Sequence, residues 1–323
     1  MSHKTKVPDS LQDNIQLSKL SDNVYAVDLS QSYCVGTVPN GGYVASVFLR
    51  VAERHLEKNN QPDTLTATWT YLSRAQVGHA RLLVQESKIG RGTSVLHVSL
   101  HQNKLLDVAP WISSESKAEV VAYMTNGNIA QEQGVSLPTQ WALSNPPPGA
   151  DLEKVKKGED PRWVRMNGRP IMKRIPMFEH LEYYQRKEGH VLPTTQDFWV
   201  RLAHPENLTP MHLGYIADAL PPLMVESYRP NSKDDPIPPG GFAINKGFWY
   251  PTLSMSLDVK KRLPSQGTEW LRLRAVSRTI VNGRYDAEVL MFDQDGDLLA
   301  ISNHMAMALD FERNLGQRGR PKI

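Results

Sequence analysis

Cysteine occurs once in the 323 residues, at Cys34. No disulfide can form within the chain, and a metal site built on several thiolates is excluded. A reducing compartment fits this usage. Long apolar runs are missing too: no stretch approaches the roughly 18 residues a membrane span needs, and the opening MSHKTKVPDS has no apolar leader region. We therefore expect a cytoplasmic protein with no membrane span. An excess of one charge is also absent. Lysine and arginine number 37 against 34 acidic residues, a formal charge of +3, which argues against a nucleic-acid binder and its concentrated basic stripe. An anionic small molecule suits the mild positive balance.

Several catalytic signatures are lacking. No Gly-x-Ser-x-Gly elbow and no Walker phosphate loop occur, so serine-hydrolase and nucleoside-triphosphatase readings lose their support. His97 and His101 stand four apart on an expected strand, about 13 Å at 3.3 Å per residue, too far to share one metal. Asp293-Gln294-Asp295-Gly296-Asp297 begins like a calcium loop, but Leu298 stands where an EF-hand needs glycine and His304 where it needs glutamate. The stretch reads as a hairpin turn, and no metal or cofactor is expected. Asn207-Leu208-Thr209 is a glycosylation sequon that is not expected to be used without a secretory leader.

What is present is an internal repeat. Gly42-Tyr43-Val44-Ala45-Ser46 recurs as Gly214-Tyr215-Ile216-Ala217-Asp218, each followed by an apolar stretch of helical character. Thr64-Leu65-Thr66 recurs as Thr252-Leu253-Ser254, each opening an alternating strand. Gly90-Arg91 precedes Leu105-Leu106 by the same interval that separates Gly283-Arg284 from Leu298-Leu299. In the first strand Leu65, Ala67, Trp69 and Tyr71 alternate with threonines; in the second Leu253, Met255, Leu257 and Val259 alternate with polar residues, the pattern of one-sided antiparallel strands. Asn282-Gly283 and Asp295-Gly296 supply turns between later strands. Val44, Val47, Phe48 and Val51 share one helical face after Asn40-Gly41-Gly42, while Pro221-Pro222 should end or kink the second helix within about two turns of Gly214.

Each unit thus reads as one helix covering a long antiparallel sheet, an α+β unit. The expected organisation is a first unit over 1–125, a linker and surface crossing over 126–192, a second unit over 193–312 and a flexible tail over 313–323. A Pro-, Gly- and Asp-rich insertion at 229–247 is expected to be a loop near the site.

These landmarks resemble the double hotdog acyl-CoA thioesterases, the group that includes the bacterial type II and peroxisomal enzymes and many fungal relatives. The resemblance rests on Pro39-Asn40-Gly41-Gly42-Tyr43, Gly90-Arg91-Gly92, Tyr215-Ile216-Ala217-Asp218, Pro251-Thr252-Leu253 and Asp295-Gly296-Asp297-Leu298-Leu299-Ala300, in this order and in duplicate. It implies a tandem double hotdog, each unit a central helix wrapped by an antiparallel sheet, hydrolysing acyl thioesters. In that family the second unit holds the attacking water with an aspartate early in the hotdog helix, a threonine or serine on the next strand and a glutamine on the last. These roles carry over to Asp218 and Thr252; His304 stands at the glutamine's place, a departure. Ser46 matches Asp218 in the first unit, so one competent site is implied. An acyl-CoA or related acyl thioester is the implied partner, lipid or fungal secondary metabolism the implied setting, and such units often assemble further into homo-oligomers.

Thioester hydrolysis needs an activated water and donors for the oxyanion. Asp218 can supply the base. Backbone amides at a helix amino terminus, near Gly41, Gly42 or Gly214, can receive an oxyanion or a CoA phosphate. The plain alternatives are a helix-terminal carboxylate, a solvated strand threonine, a satisfied histidine and glycines that merely allow a turn. Two rival functions stand beside hydrolysis. Asn207-Leu208-Thr209-Pro210-Met211-His212 resembles the hotdog hydratase and dehydratase motif, but an amide at Asn207 cannot accept a proton as a carboxylate does. A silent acyl-CoA or polyketide binder is the other. Pro321-Lys322-Ile323 is a degenerate relative of the peroxisomal address Ser-Lys-Leu, which gives a peroxisomal location as the alternative to the cytoplasm.

Overall fold

The structure is a computed structural model and describes residues 9–166, 176–190, 192–230 and 232–310. The tail over 313–323, with Pro321-Lys322-Ile323, lies outside the described residues. The apolar face read for the first helix is buried in full: α1 (Gly41–Leu56) places Val44, Val47, Phe48 and Val51 in the core. Asn40 caps it, its side-chain oxygen accepting from the Tyr43 amide at 3.1 Å. Its counterpart α2 (His212–Ala219) stops as expected before Pro221, which opens a short separate helix, α3 (Pro221–Glu226).

Around these helices runs one antiparallel sheet. Its principal strands are β1 (Val24–Leu29), β2 (Asp63–Tyr71), β3 (Gly78–Lys88), β4 (Ser94–His101), β5 (Val120–Gly127), β6 (Trp163–Arg165), β7 (Leu181–Arg186), β8 (Thr195–Leu202), β9 (Thr252–Val259), β10 (Leu271–Val276), β11 (Arg284–Phe292) and β12 (Leu298–Met307). Two-residue strands at Ser18–Lys19 and Ile280–Val281 complete it. Outward from the centre the first unit reads β2-β5-β4-β3-β1 and the second β9-β12-β11-β10-β8, one order twice. The two halves join where β2 pairs with β9. Counted from Thr64 and Thr252, Thr68 and Ser256 are the same position in the two units, and they face each other across that pair. A local two-fold axis passes there. The fold is the expected tandem double hotdog.

Three details depart from the sequence reading. The stretch 126–192, expected to be linker and crossing, supplies β6 and β7, which extend the second unit's edge beyond β8. Leu105-Leu106 is not the counterpart of Leu298-Leu299: Leu298 opens β12, whereas β5 begins at Val120 after an irregular excursion that lengthens the first unit's hairpin. The Gly90 and Gly283 turns do correspond, since each precedes an equivalent strand. Finally, β9 carries an irregularity between Thr252 and Ser254, so Leu253 is 42 % exposed rather than packed inward.

Candidate active site

The two helices cross with Gly42 against Gly214. A Cβ on Gly42 would lie 2.4 Å from the Gly214 carbonyl oxygen and 2.7 Å from the Asp218 Cβ, so only glycine allows this approach. The crossing carries Asp218, near the carboxyl end of α2, onto the amino terminus of α1. Asp218 is buried and accepts three hydrogen bonds, drawn from both units: Asn40 Nδ2 donates to Oδ2 at 3.0 Å and the Gly42 amide to the same atom at 3.0 Å, while Thr252 Oγ1 donates to Oδ1 at 2.7 Å; His304 Nδ1 stands 3.6 Å from Oδ1. Burial raises the Asp218 pKa to about 6, outweighing the bonds from Thr252, Gly42 and Asn40 that favour the charged form. Asp218 is therefore a stronger base than an ordinary carboxylate and still largely ionised at neutral pH.

Beside it opens a cavity of about 250 Å³. Asp218, Asn40, Gly41 and Thr252 contribute to its wall, and the remainder is mostly apolar, with Val38, Phe178, Leu223 and Phe248 among the lining. The insertion at 229–247, apart from residue 231, which lies outside the described residues, is a loop, as expected, and leads into Phe248, Trp249 and Tyr250 on that wall. Arg74 lies over the Trp249 ring at 5.3 Å. Behind the carboxylate, His304 is buried without reaching the cavity wall, its Nε2 2.9 Å from Ser302 Oγ.

The structure thus brings Asp218, Thr252 and His304 together, with Gly41 and Gly42 beside them. Gly214 is a correction: it packs against Ala45 and Ser46 at the helix crossing and does not line the cavity. The helix terminus that meets Asp218 is that of the other unit, not its own. Asn40 belongs to the site although its sequence signal, a cap before Gly-Gly, announced only a helix start. Among the described residues no group of His, Cys, Asp and Glu could hold a metal, and no helix is long and apolar enough to cross a membrane.

The hydratase motif is dispersed. Asn207 Nδ2 donates to the Gln266 carbonyl, and His212, buried, accepts the Thr209 amide at Nδ1. Neither residue lines the cavity.

A family model described as the acyl-CoA thioesterase N-terminal domain matches residues 29–127, and one described as the C-terminal domain matches 147–308. The chain belongs to the acyl-CoA thioesterase family. As a thioesterase it is 36 % identical to the thioesterase-like protein TwmA of Talaromyces wortmannii, over 94 % of this chain and 93 % of that one. It is 22 % identical to the ustilagic acid biosynthesis cluster protein orf2 of Mycosarcoma maydis, over 90 % and 80 %. Among solved structures, a hot dog fold protein of unknown function from Alicyclobacillus acidocaldarius superposes with a TM-score of 0.68 at 18 % identity, covering 92 % of this thioesterase and 97 % of that chain. The acyl-CoA thioesterase II TesB2 of Mycobacterium marinum does so at 0.58 and 14 %, covering 96 % and 99 %. These structural likenesses speak for the fold.

Proposed function

We propose that this thioesterase hydrolyses an acyl-CoA or a related acyl thioester to the free acid and thiol, with water as nucleophile and Asp218 as its base. The observation that carries the reading is a buried carboxylate with a raised pKa on the wall of a largely apolar cavity. The acyl chain lies along the apolar wall, which places the thioester carbonyl at Asp218. Thr252 has committed its one hydrogen to Asp218, so it meets the water as an acceptor. His304 acts from behind the carboxylate. Negative charge developing on the carbonyl oxygen faces the positive end of the α1 dipole, whose Gly41 and Gly42 amides themselves bond Asp218.

Both relatives come from fungi, and one is named for a biosynthesis cluster; this supports a place in fungal secondary metabolism. The hydratase alternative has no support in the geometry, because Asn207 and His212 stand away from the cavity. The test offers purified protein a panel of acyl-CoAs with a free-thiol reagent, beside Asp218→Asn and Asn207→Asp, and adds an enoyl-CoA to detect hydration. Thiol release by wild type and by Asn207→Asp, with loss in Asp218→Asn, supports the reading; hydration without thiol release overturns it.

A further inference from the structure

We propose that Ser302 is a positioning residue: it locks the His304 imidazole in the tautomer whose bare Nδ1 faces Asp218, so that the proton taken from water is held between Asp218 Oδ1 and His304 Nδ1. The inference rests on the hydrolytic reading above and deepens it.

Ser302 Oγ has one hydrogen to give. It lies 2.6 Å from the Ser256 carbonyl oxygen, which can only accept, so the hydrogen is directed there. His304 Nε2, 2.9 Å from the same Oγ, must then be the donor of that contact. Burial holds the His304 ring neutral by pushing its pKa down to about 3. A neutral ring with its hydrogen on Nε2 has an unprotonated Nδ1. That atom is buried, makes no hydrogen bond to the described residues, and stands 3.6 Å from Asp218 Oδ1.

Two buried acceptors therefore face each other with no hydrogen between them. The arrangement disfavours the ionised carboxylate and becomes favourable when a single proton arrives. Among the described residues the other groups that face Asp218 are Asn40, which caps α1, the Gly41 and Gly42 amides that open it, Tyr71 from β2, Thr252 from β9 and Tyr285 from β11. None is formally charged, since burial holds both tyrosines above the ordinary phenol value.

In the reaction, a water O–H bond breaks as its oxygen bonds to the thioester carbon, and the proton passes to Asp218, shared with Nδ1. The tetrahedral species then collapses. Its C–S bond breaks with the electron pair leaving on sulfur, and the held proton moves to that sulfur. Free acid and thiol result, and Asp218 is again ionised.

Ser302→Ala frees the ring to place its hydrogen on Nδ1 and donate to the carboxylate, which stabilises the ionised form. The Asp218 titration midpoint should then fall by about one pH unit, and kcat should drop roughly tenfold at unchanged KM, because the base is weaker. Ser302→Thr retains the hydroxyl and should retain the wild-type midpoint. The experiment reads the ring nitrogens of His304 by ¹⁵N NMR and the Asp218 carboxyl by ¹³C NMR titration in the full-length wild type and both variants. Hydrogen on Nε2 in wild type and Ser302→Thr, with a lowered midpoint in Ser302→Ala, is the expected result. Hydrogen on Nδ1 in wild type, or one midpoint common to wild type and Ser302→Ala, overturns the proposal. Should Ser302→Ala not fold, His304→Gln serves in its place: its amide donates to Oδ1 and must lower the midpoint likewise. Neither readout needs turnover, so a wild type that cleaves no thioester defeats the hydrolytic reading without deciding this one.

Discussion

A carboxylate that accepts hydrogen bonds from a hydroxyl, an amide side chain and a backbone amide ordinarily titrates below its usual value, yet Asp218 moves up to about 6 because burial between the two units outweighs those donors. Activity that depends on the ionised form should therefore rise through a midpoint near pH 6 and level off above it, as a pH profile of kcat/KM would show. Removing the Asn40 donor in Asn40→Ala takes a bond from the charged form, so the midpoint should move up by several tenths of a unit or more. The same shift acts on stability. A folded pKa above the unfolded value means that the protonated form is favoured on folding: the contribution is fully present below pH 4 and lost as pH rises through about 6. Asp218 should thus cost about 2 kcal/mol at neutral pH relative to pH 4. Denaturant unfolding at pH 5 and pH 7.5 should show a fall in wild type that is smaller in Asp218→Asn. Of these residues Asp218 and Thr252 were legible from the duplicated motifs. Asn40 and Ser302 were not, because one acts across the unit boundary and the other through strand register, neither of which a local pattern encodes.

At the scale of elements, the helix crossing sets the site. Gly42→Ala would press a methyl group onto the Gly214 carbonyl at 2.4 Å, backbone that cannot turn aside, and should cost about 2 kcal/mol or more despite the better helix propensity of alanine. Gly214→Ala meets its nearest neighbour, the Ser46 amide nitrogen, only at 3.1 Å and should cost less. Thermal unfolding of the two variants checks the order; equal costs would contradict the asymmetry. The helices and the alternation of β2 could be read directly, with Ala67 and Trp69 buried and Thr68 exposed. The same rule misplaced Leu253, since an irregularity in β9 inverts the alternation there and turns Thr252 toward Asp218.

For the whole molecule, duplication provides two equivalent positions and a buried carboxylate at one of them. Where the second unit has Asp218, Thr252 and His304, the first has Ser46, Thr64 and, by strand register, Met124. Ser46 Oγ donates to the Gly42 carbonyl and accepts the Tyr215 amide, both at 3.1 Å, a structural use of the position. The space beside Thr64 is only about 20 Å³. Ser46→Asp in an Asp218→Asn background should accordingly restore no activity, and a titration should find one active site per chain. The repeat and the two-unit plan were legible because three landmarks recur in order. The strands β6 and β7 were hidden in a segment whose charge and prolines suggest a crossing. The most direct measurement of the central claim is thiol release from acyl-CoA by wild type and Asp218→Asn under identical conditions. Release by wild type with a loss of at least about a hundredfold in the variant is predicted; equal rates in the two proteins would contradict Asp218 as the base.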